Sequence, residues 1–265
     1  MIDAIRQLFR PKSGRQLPAI PAGQRIYAIG DIHGRLDLFA ALAAAIEEDD
    51  RTRGQADTTV ILLGDLVDRG PDSAAVIEGA RAWQSHRKVR MLLGNHEEMF
   101  LTTYRDVGHM RNFLRYGGRE TILSYGVDQD VFRTADIREA HDMMRNAISE
   151  ADMAFLESFE DCIVIGDYAF VHAGIRPEEA LDSQRGHDLR WIREPFLSHG
   201  GDHSHVIVHG HTITDDADVR RNRIGIDTGA YASGRLTALA LEGTDRWLLE
   251  AKEEDGVITT STKPA

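Results

Sequence analysis

The sequence predicts an α/β domain of two packed sheets with helices outside. Three observations carry that reading. Short apolar runs alternate with helical periodicity from about residue 25 to about residue 96. A mainly helical stretch follows, and the chain then turns to strands. No internal repeat, low-complexity stretch or Gly/Ser linker divides the 265 residues, which can bury a full core without staples.

Residues 1–24 read as an N-terminal arm. Ile2, Ile5, Leu8 and Phe9 could line one face of a short helix ahead of Pro11, Gly14, Pro18 and Pro21. A single domain is expected over 25–252. Residues 25–30 form a strand that stops at Gly30-Asp31, and Leu36, Leu38, Phe39, Leu42 and Ile46 give the next segment helical periodicity. A second strand, 58–63, runs into Gly64-Asp65, and Pro71 precedes a helix over 73–86. A third, 89–93, ends at Gly94-Asn95-His96. The segment 99–160 is helical in pattern, with its Met and Phe stripe assigned to core packing and an interruption at Gly117-Gly118. Beyond it, 162–166 and 168–171 suggest a hairpin, followed by strands at 206–208, 223–226, 236–241 and 246–249. The polar tail 253–265 reads as disordered.

Composition narrows the function. Lys and Arg number 31 against 43 Asp and Glu, a formal net charge of −12. That argues against general nucleic-acid binding, which needs a basic face, yet permits a local cationic pocket. The single cysteine, Cys162, excludes an internal disulfide and a Cys-rich zinc module, and reads as a small strand hydrophobe. No apolar run is long enough for a membrane span, and the charged N-terminus is unlike a signal peptide. The expectation is a cytoplasmic protein; its oligomeric state is left open.

Five segments place a metal- or phosphate-capable side chain beside glycine, each after a strand-like run: GDIHG at 30–34, GDLVDRG at 64–70, GNHE at 94–97, HAG at 172–174 and GHT at 210–212. Strand ends are where α/β sheets bind ligands, and glycine lets backbone approach closely. Asp31 and His33, two residues apart on extended chain, can chelate one ion. Asp65 can bridge a pair through its two oxygens, and Asn95, His172 and His211 can complete the second ion. A mixed nitrogen and oxygen set without thiolate suits Mn, Fe or Zn. Two such ions clamp the oxygens of an in-line displacement and acidify a bridging water, which makes phosphate esters the natural substrate. Arg69 can bind phosphoryl oxygens. His96 can protonate the leaving group, with Asp68 orienting its ring.

These segments resemble the calcineurin-like metallophosphoesterases, and within them the bacterial and phage branch of the phosphoprotein phosphatases. The resemblance spans about residues 25–245 and implies two mixed sheets face to face with flanking helices. It implies Asp31, His33 and Asp65 at the first metal, and Asp65, Asn95, His172 and His211 at the second, with manganese expected. It implies the acid pair His96 and Asp68, phosphate contacts from Arg69 and Asn95, and a second phosphate arginine. Arg193, in the sequence Trp-Ile-Arg-Glu, fills that place, with Arg190 the competitor. By resemblance to bacterial members, the helical segment 99–160 covers the cleft as a cap. The expected activity is serine/threonine phosphoprotein hydrolysis by a metal-bridging hydroxide, with a phosphorylated protein or small phosphoester as partner. Alternatives are a symmetrical dinucleoside tetraphosphate or nucleotide-cap hydrolase, and a silent phospho-binding scaffold. Asp68 and Glu97, standing where the symmetrical hydrolases typically carry Ala and Asp, tilt the reading toward monoesters.

Overall fold

A computed structural model describes residues 17–265. The expected helix in the first nine residues lies outside the described residues. The described end of the arm is docked: Ile20 is buried, and its N–H donates to Gly243 O at 2.8 Å.

The chain runs β1 (Gln24–Ile29), α1 (Leu36–Thr52), β2 (Asp57–Leu62), α2 (Ser73–Gln84), β3 (Val89–Met91) and α3 (Asn95–Arg105). A helical insertion follows, with α4 (Met110–Phe113), α5 (Arg119–Ser124), α6 (Gln129–Thr134), α7 (Ile137–Ala147) and α8 (Glu150–Glu157). The second half holds β4 (Cys162–Ile165), β5 (Tyr168–Val171), α9 (Gly186–Trp191), β6 (Val206–His209), β7 (Asp218–Val219) and β8 (Arg223–Gly225). It closes with α10 (Ala230–Ser233), β9 (Arg235–Glu242), β10 (Asp245–Glu254) and β11 (Val257–Pro264).

Both sheets are mixed. The first has the order β11-β10-β9-β1-β2-β3, with β1, β2 and β3 parallel and β9 antiparallel to β1. The second has the order β4-β5-β6-β8-β7, with β5, β6 and β8 parallel. Strand alternation explains why the sheets stack. Ile26 and Ala28 of β1 face the second sheet and meet Phe170, Val208 and Ile224, whereas Tyr27 and Ile29 face α1 through Leu38, Leu42 and Ile46. A third apolar cluster seats α9 on the outer face of the second sheet through Leu189, Ile192 and Ile207. Fully burying each such aliphatic side chain contributes about 1.5–3 kcal/mol. Cys162 is half-buried, and burial pushes its thiol up to about 11, so it carries no thiolate.

The tail differs from the expectation. Residues 253–265 extend β10 and form β11, paired from Glu254↔Val257 to Trp247↔Pro264. Asp255 and Gly256 both have positive φ, 52° and 77°, as a two-residue hairpin turn requires. The β-branched run Val257-Ile258-Thr259-Thr260 then suits an edge strand, although its polarity resembles disorder.

The insertion packs against the loop that follows β2. At Leu114–Gly118 the helix widens, Gly117 takes φ 102°, and its carbonyl accepts the Arg69 N–H at 3.1 Å. A Cβ at Gly117 would fall 2.7 Å from the Arg69 nitrogen, so only glycine fits this contact.

Candidate metal centre

The motif-bearing ends of β1, β2, β3, β5 and β6 bring their side chains together at one edge of the two sheets. Asp31 and His33 follow β1, Asp65 to Arg69 follow β2, and Asn95 and His96 open α3. His172 follows β5, and His211 follows β6. Asp31, His33, Asp65, Asn95, His172 and His211 are all buried, as are Asp68 and His96. His33, Asp65, Asp68, Arg69 and His211 all have φ between 46° and 72°, a left-handed backbone that costs non-glycine residues about 1–3 kcal/mol each. Two glycines let carboxylates abut the chain. A Cβ at Gly94 would lie 2.2 Å from Asp65 Oδ1, and one at Gly210 would lie 2.1 Å from Asp31 Oδ1.

Asp65 stands between two groups of donors. Its Oδ2 is 3.5 Å from His33 Nε2, and its Oδ1 is 3.5 Å from His172 Nε2. His33 Nδ1 donates to Val67 O at 2.7 Å and His172 Nδ1 to Leu63 O at 2.8 Å, which leaves both Nε2 atoms as lone pairs facing inward. Asn95 Oδ1 lies 3.0 Å from His172 Nε2 and 2.8 Å from His211 Nδ1. An acceptor thus faces an acceptor across His172 and Asn95. His211 Nε2 is buried with no hydrogen-bond partner. A divalent cation on each side of Asp65 would reconcile the facing acceptors, with His211 presenting Nδ1 beside Asn95 Oδ1, so the residues fit the two-metal set.

The electrostatics agree. Burial, followed by Asp227 and Asp65, holds the Asp31 carboxyl well above the usual carboxylate range. Burial favours the neutral form of His33 and His172 and pulls His211 down to about 3. Asp65 goes the other way: burial opposes its charge, but His172, His96, His33 and His211 outweigh it. Asp227, pushed up to about 6 chiefly by burial, is a further acid at this centre. Carboxylates and imidazoles crowded at one buried point form a cavity for positive charge.

Beside this cluster lies the His96–Asp68 pair. His96 Nδ1 is 2.7 Å from Asp68 Oδ2, and its Nε2 faces the pocket, 2.8 Å from Arg69. Burial disfavours the imidazolium, yet Asp65 and Asp68 raise its pKa above the ordinary histidine value. Arg69 also reaches His33 Nε2 at 2.9 Å and lies over the Tyr231 ring at 4.7 Å. Arg193 lines the same pocket and donates to His211 O at 3.3 Å. Arg190 does not line it: its Nε donates to Gly186 O, and it faces Glu98 and Asp161, each at 3.7 Å. The pocket is a cavity of about 140 Å³ between Asp31, Asp65, His96 and the two arginines, with Tyr116 of the insertion on its rim. His209, which the sequence left without a role, is packed against Phe196 with its Nε2 3.5 Å from Arg223.

Supporting residues surround the site; the sequence marked Glu97 only as an indicator of substrate class, and Thr121 and Ser73 not at all. Glu97 accepts the N–H groups of Asp65, Leu66 and Gly94 at 2.8, 2.7 and 3.0 Å, clamping the Asp65 loop to the head of α3. The Thr121 hydroxyl donates to Asp68 Oδ1 at 2.6 Å and accepts the Asp68 N–H at 2.8 Å. Ser73 Oγ shares that N–H at 3.0 Å. Glu97 was visible inside a motif; Thr121, 53 residues from Asp68, carried no local signal.

A two-sheet sandwich with a histidine–carboxylate centre at its strand ends defines a metal-dependent phosphoesterase. The chain belongs to the calcineurin-like phosphoesterases, whose family model matches residues 24–258. Members of this family work with a two-metal centre. An asymmetrical bis(5'-nucleosyl)-tetraphosphatase of Anoxybacillus flavithermus is 27% identical over 232 residues, covering 80% of this chain and 88% of that one. A solved structure provisionally described as a diadenosine tetraphosphatase superposes with a TM-score of 0.59 at 18% identity, covering 93% of this chain and 98% of the other. A cold-active protein tyrosine phosphatase superposes with a TM-score of 0.58 at 21% identity, covering 95% of this chain and 86% of the other. At these identities the two structures are similar in fold. No helix among the described residues is long and apolar enough to cross a membrane.

Proposed function

We propose that this protein is a phosphomonoesterase that releases an alcohol leaving group, with phosphoserine and phosphothreonine side chains as its first substrates and manganese as its metal. One observation supports this reading above the others: His96, held by Asp68 at 2.7 Å, aims Nε2 into a pocket flanked by Arg69 and Arg193. An alkoxide is a poor leaving group and needs a proton in the transition state. Two ions held by Asp31, His33, Asp65, Asn95, His172 and His211 would supply an acidified water and neutralise the phosphoryl group. Arg69 exchanges its two imidazole contacts for phosphoryl oxygens, and Arg193 and the Asn95 amide contact the remainder. His96, protonated on both nitrogens, passes the Nε2 proton to the leaving oxygen while Asp68 holds Nδ1–H.

A second reading, hydrolysis of a dinucleoside tetraphosphate, is favoured by the name of the Anoxybacillus flavithermus relative, which covers 80% of this chain. Its leaving group is a nucleotide phosphate, which needs a general acid far less. Side-by-side turnover decides between the two. Manganese-loaded protein should hydrolyse an aryl phosphate and a phosphoserine peptide faster than diadenosine tetraphosphate. The reverse order supports the second reading, with ATP and AMP as products of asymmetrical cleavage and two ADP of symmetrical cleavage. No turnover of any of them, with metal bound, refutes both and leaves a phospho-binding scaffold.

A further inference from the structure

The helical run from Met110 to Gly118 is two-faced. Met110, Phe113 and Gly118 are buried, whereas Arg111, Asn112, Arg115 and Tyr116 share the exposed face, spaced as i, i+1, i+4 and i+5. That face flanks the mouth of the catalytic pocket. Tyr116 lines the pocket itself, and Asn112 lines a second cavity that shares Met99 and Trp191 with it. Each arginine immediately precedes one of these two residues, and the Arg115 guanidinium lies 5.9 Å from the Tyr116 ring.

Neither arginine has an anion of its own. On the same helical segment Arg105, Arg119 and Arg133 face Glu157, Glu120 and Asp130. Among the described residues no carboxylate pairs with Arg111 or Arg115. The chain carries 43 acidic residues against 31 basic ones, so two exposed guanidinium groups left unpaired one turn apart make a local cationic rim on an acidic body.

We propose that Arg111 and Arg115 dock acidic residues that flank the phosphorylated residue, so that the preferred substrate is an acidic phosphopeptide. The proposal rests on the phosphomonoesterase reading and adds to it the charge of the sequence around the phosphate. The reacting phosphoryl group does not need this rim, because Arg69 and Arg193 already line the pocket. A peptide whose phosphorylated side chain enters the pocket must pass Tyr116, and its neighbouring residues then run beside the two arginines. Four helical residues rise about 6 Å, close to the about 6.7 Å between alternate side chains of an extended peptide. Two carboxylates on one side of such a peptide therefore match two guanidinium groups. Pairs formed at an exposed rim steer encounter and add modest affinity, and they leave the chemical step alone. The selectivity should accordingly appear in KM.

Three phosphoserine peptides of equal length test this, with glutamate, glutamine or lysine at the positions on both sides of the phosphoserine. Manganese-loaded wild-type protein should prefer glutamate over glutamine over lysine. The first step should be ~5-fold or more in kcat/KM, carried by KM, and should shrink at ~1 M salt. Arg111→Gln combined with Arg115→Gln should bring the glutamate and glutamine peptides within about twofold of each other. Arg111→Lys with Arg115→Lys should keep the preference, and Arg111→Glu with Arg115→Glu should reverse it. Aryl phosphate turnover should stay within about twofold in every variant. Arg51→Gln, at the opposite end of α1, removes a charge away from the site and should change nothing. Equal use of the glutamate and glutamine peptides by the wild type overturns the docking rim, as does a preference that survives the double glutamine variant or is lost in Arg51→Gln. Aryl phosphate turnover with no peptide hydrolysed overturns the phosphoprotein reading and the rim with it. Absence of aryl phosphate turnover in metal-loaded wild type overturns the hydrolase reading itself.

Discussion

Thr121→Val removes one hydroxyl and almost no volume, and it tests whether the helical insertion holds the acid group in place. In the native protein that hydroxyl donates to Asp68 Oδ1 at 2.6 Å and accepts the Asp68 N–H at 2.8 Å. Ser73 Oγ, 3.0 Å away, can keep the N–H satisfied. The buried Oδ1 loses its side-chain donor, and a hydrogen bond to a charged group is worth about 1.5–3 kcal/mol. For a domain of this size that corresponds to a fall in Tm of about 3–12 °C. Freed on one side, Asp68 also holds His96 less firmly, so kcat for an aryl phosphate should fall while bound metal is unchanged. Thr121→Ser keeps the hydroxyl and should recover most of both losses. The assay is thermal unfolding at fixed metal concentration, alongside steady-state kinetics. A Tm within about 1 °C of wild type, with kcat unchanged, would refute the argument that the insertion positions Asp68.

Other outcomes follow from the same geometry. His96→Asn should lower kcat by ~10²–10⁴ and leave metal content intact; metal loss, read by elemental analysis, would make His96 a ligand rather than the acid. Arg193→Ala should raise KM for small phosphate esters, whereas Arg190→Ala, outside the pocket, should leave KM unaltered. At the far end of β1, burial opposes the Asp50 charge, but hydrogen bonds from Arg87, Thr58 and Arg25 outweigh it and lower its pKa. A carboxylate depressed in the folded state adds stability above its unfolded pKa and loses it as pH falls through the folded value. Asp50→Asn should therefore flatten the acid limb of a stability–pH curve below about pH 4; an unchanged limb would assign that stability elsewhere.

The centre was legible because its chemistry is local. Each strand-end motif keeps glycine, ligand and turn within a few residues, so Asp31, His33, Asp65, Asn95, His172 and His211 announce themselves. Arg193 stood in a shorter motif, and only the fold separates it from Arg190, which points away to Glu98 and Asp161. What was not legible acts across distance. The contact of Gly117 with Arg69 and the grip of Thr121 on Asp68 depend on how the insertion docks, and no spacing rule encodes that. The β10–β11 hairpin was a different kind of miss. Asp255-Gly256 is a strong local turn signal, but the polar strand after it has no fully buried residue and little apolar pattern.

The division of ligands between the sheets has its own consequence. Asp31, His33, Asp65 and Asn95 hang from the first sheet, and His172 and His211 from the second. Ions seated among them would act as rivets through the seam of the sandwich. Cohesion of the two layers and availability of metal then become one linked equilibrium, since whatever binds the folded state alone stabilises it by mass action. Two preparations of identical sequence would differ in thermal resistance solely through the free metal around them. The strained turns at His33, Asp65 and His211 would be held at the same seam, so stripping the ions would relax the backbone and loosen the layers together.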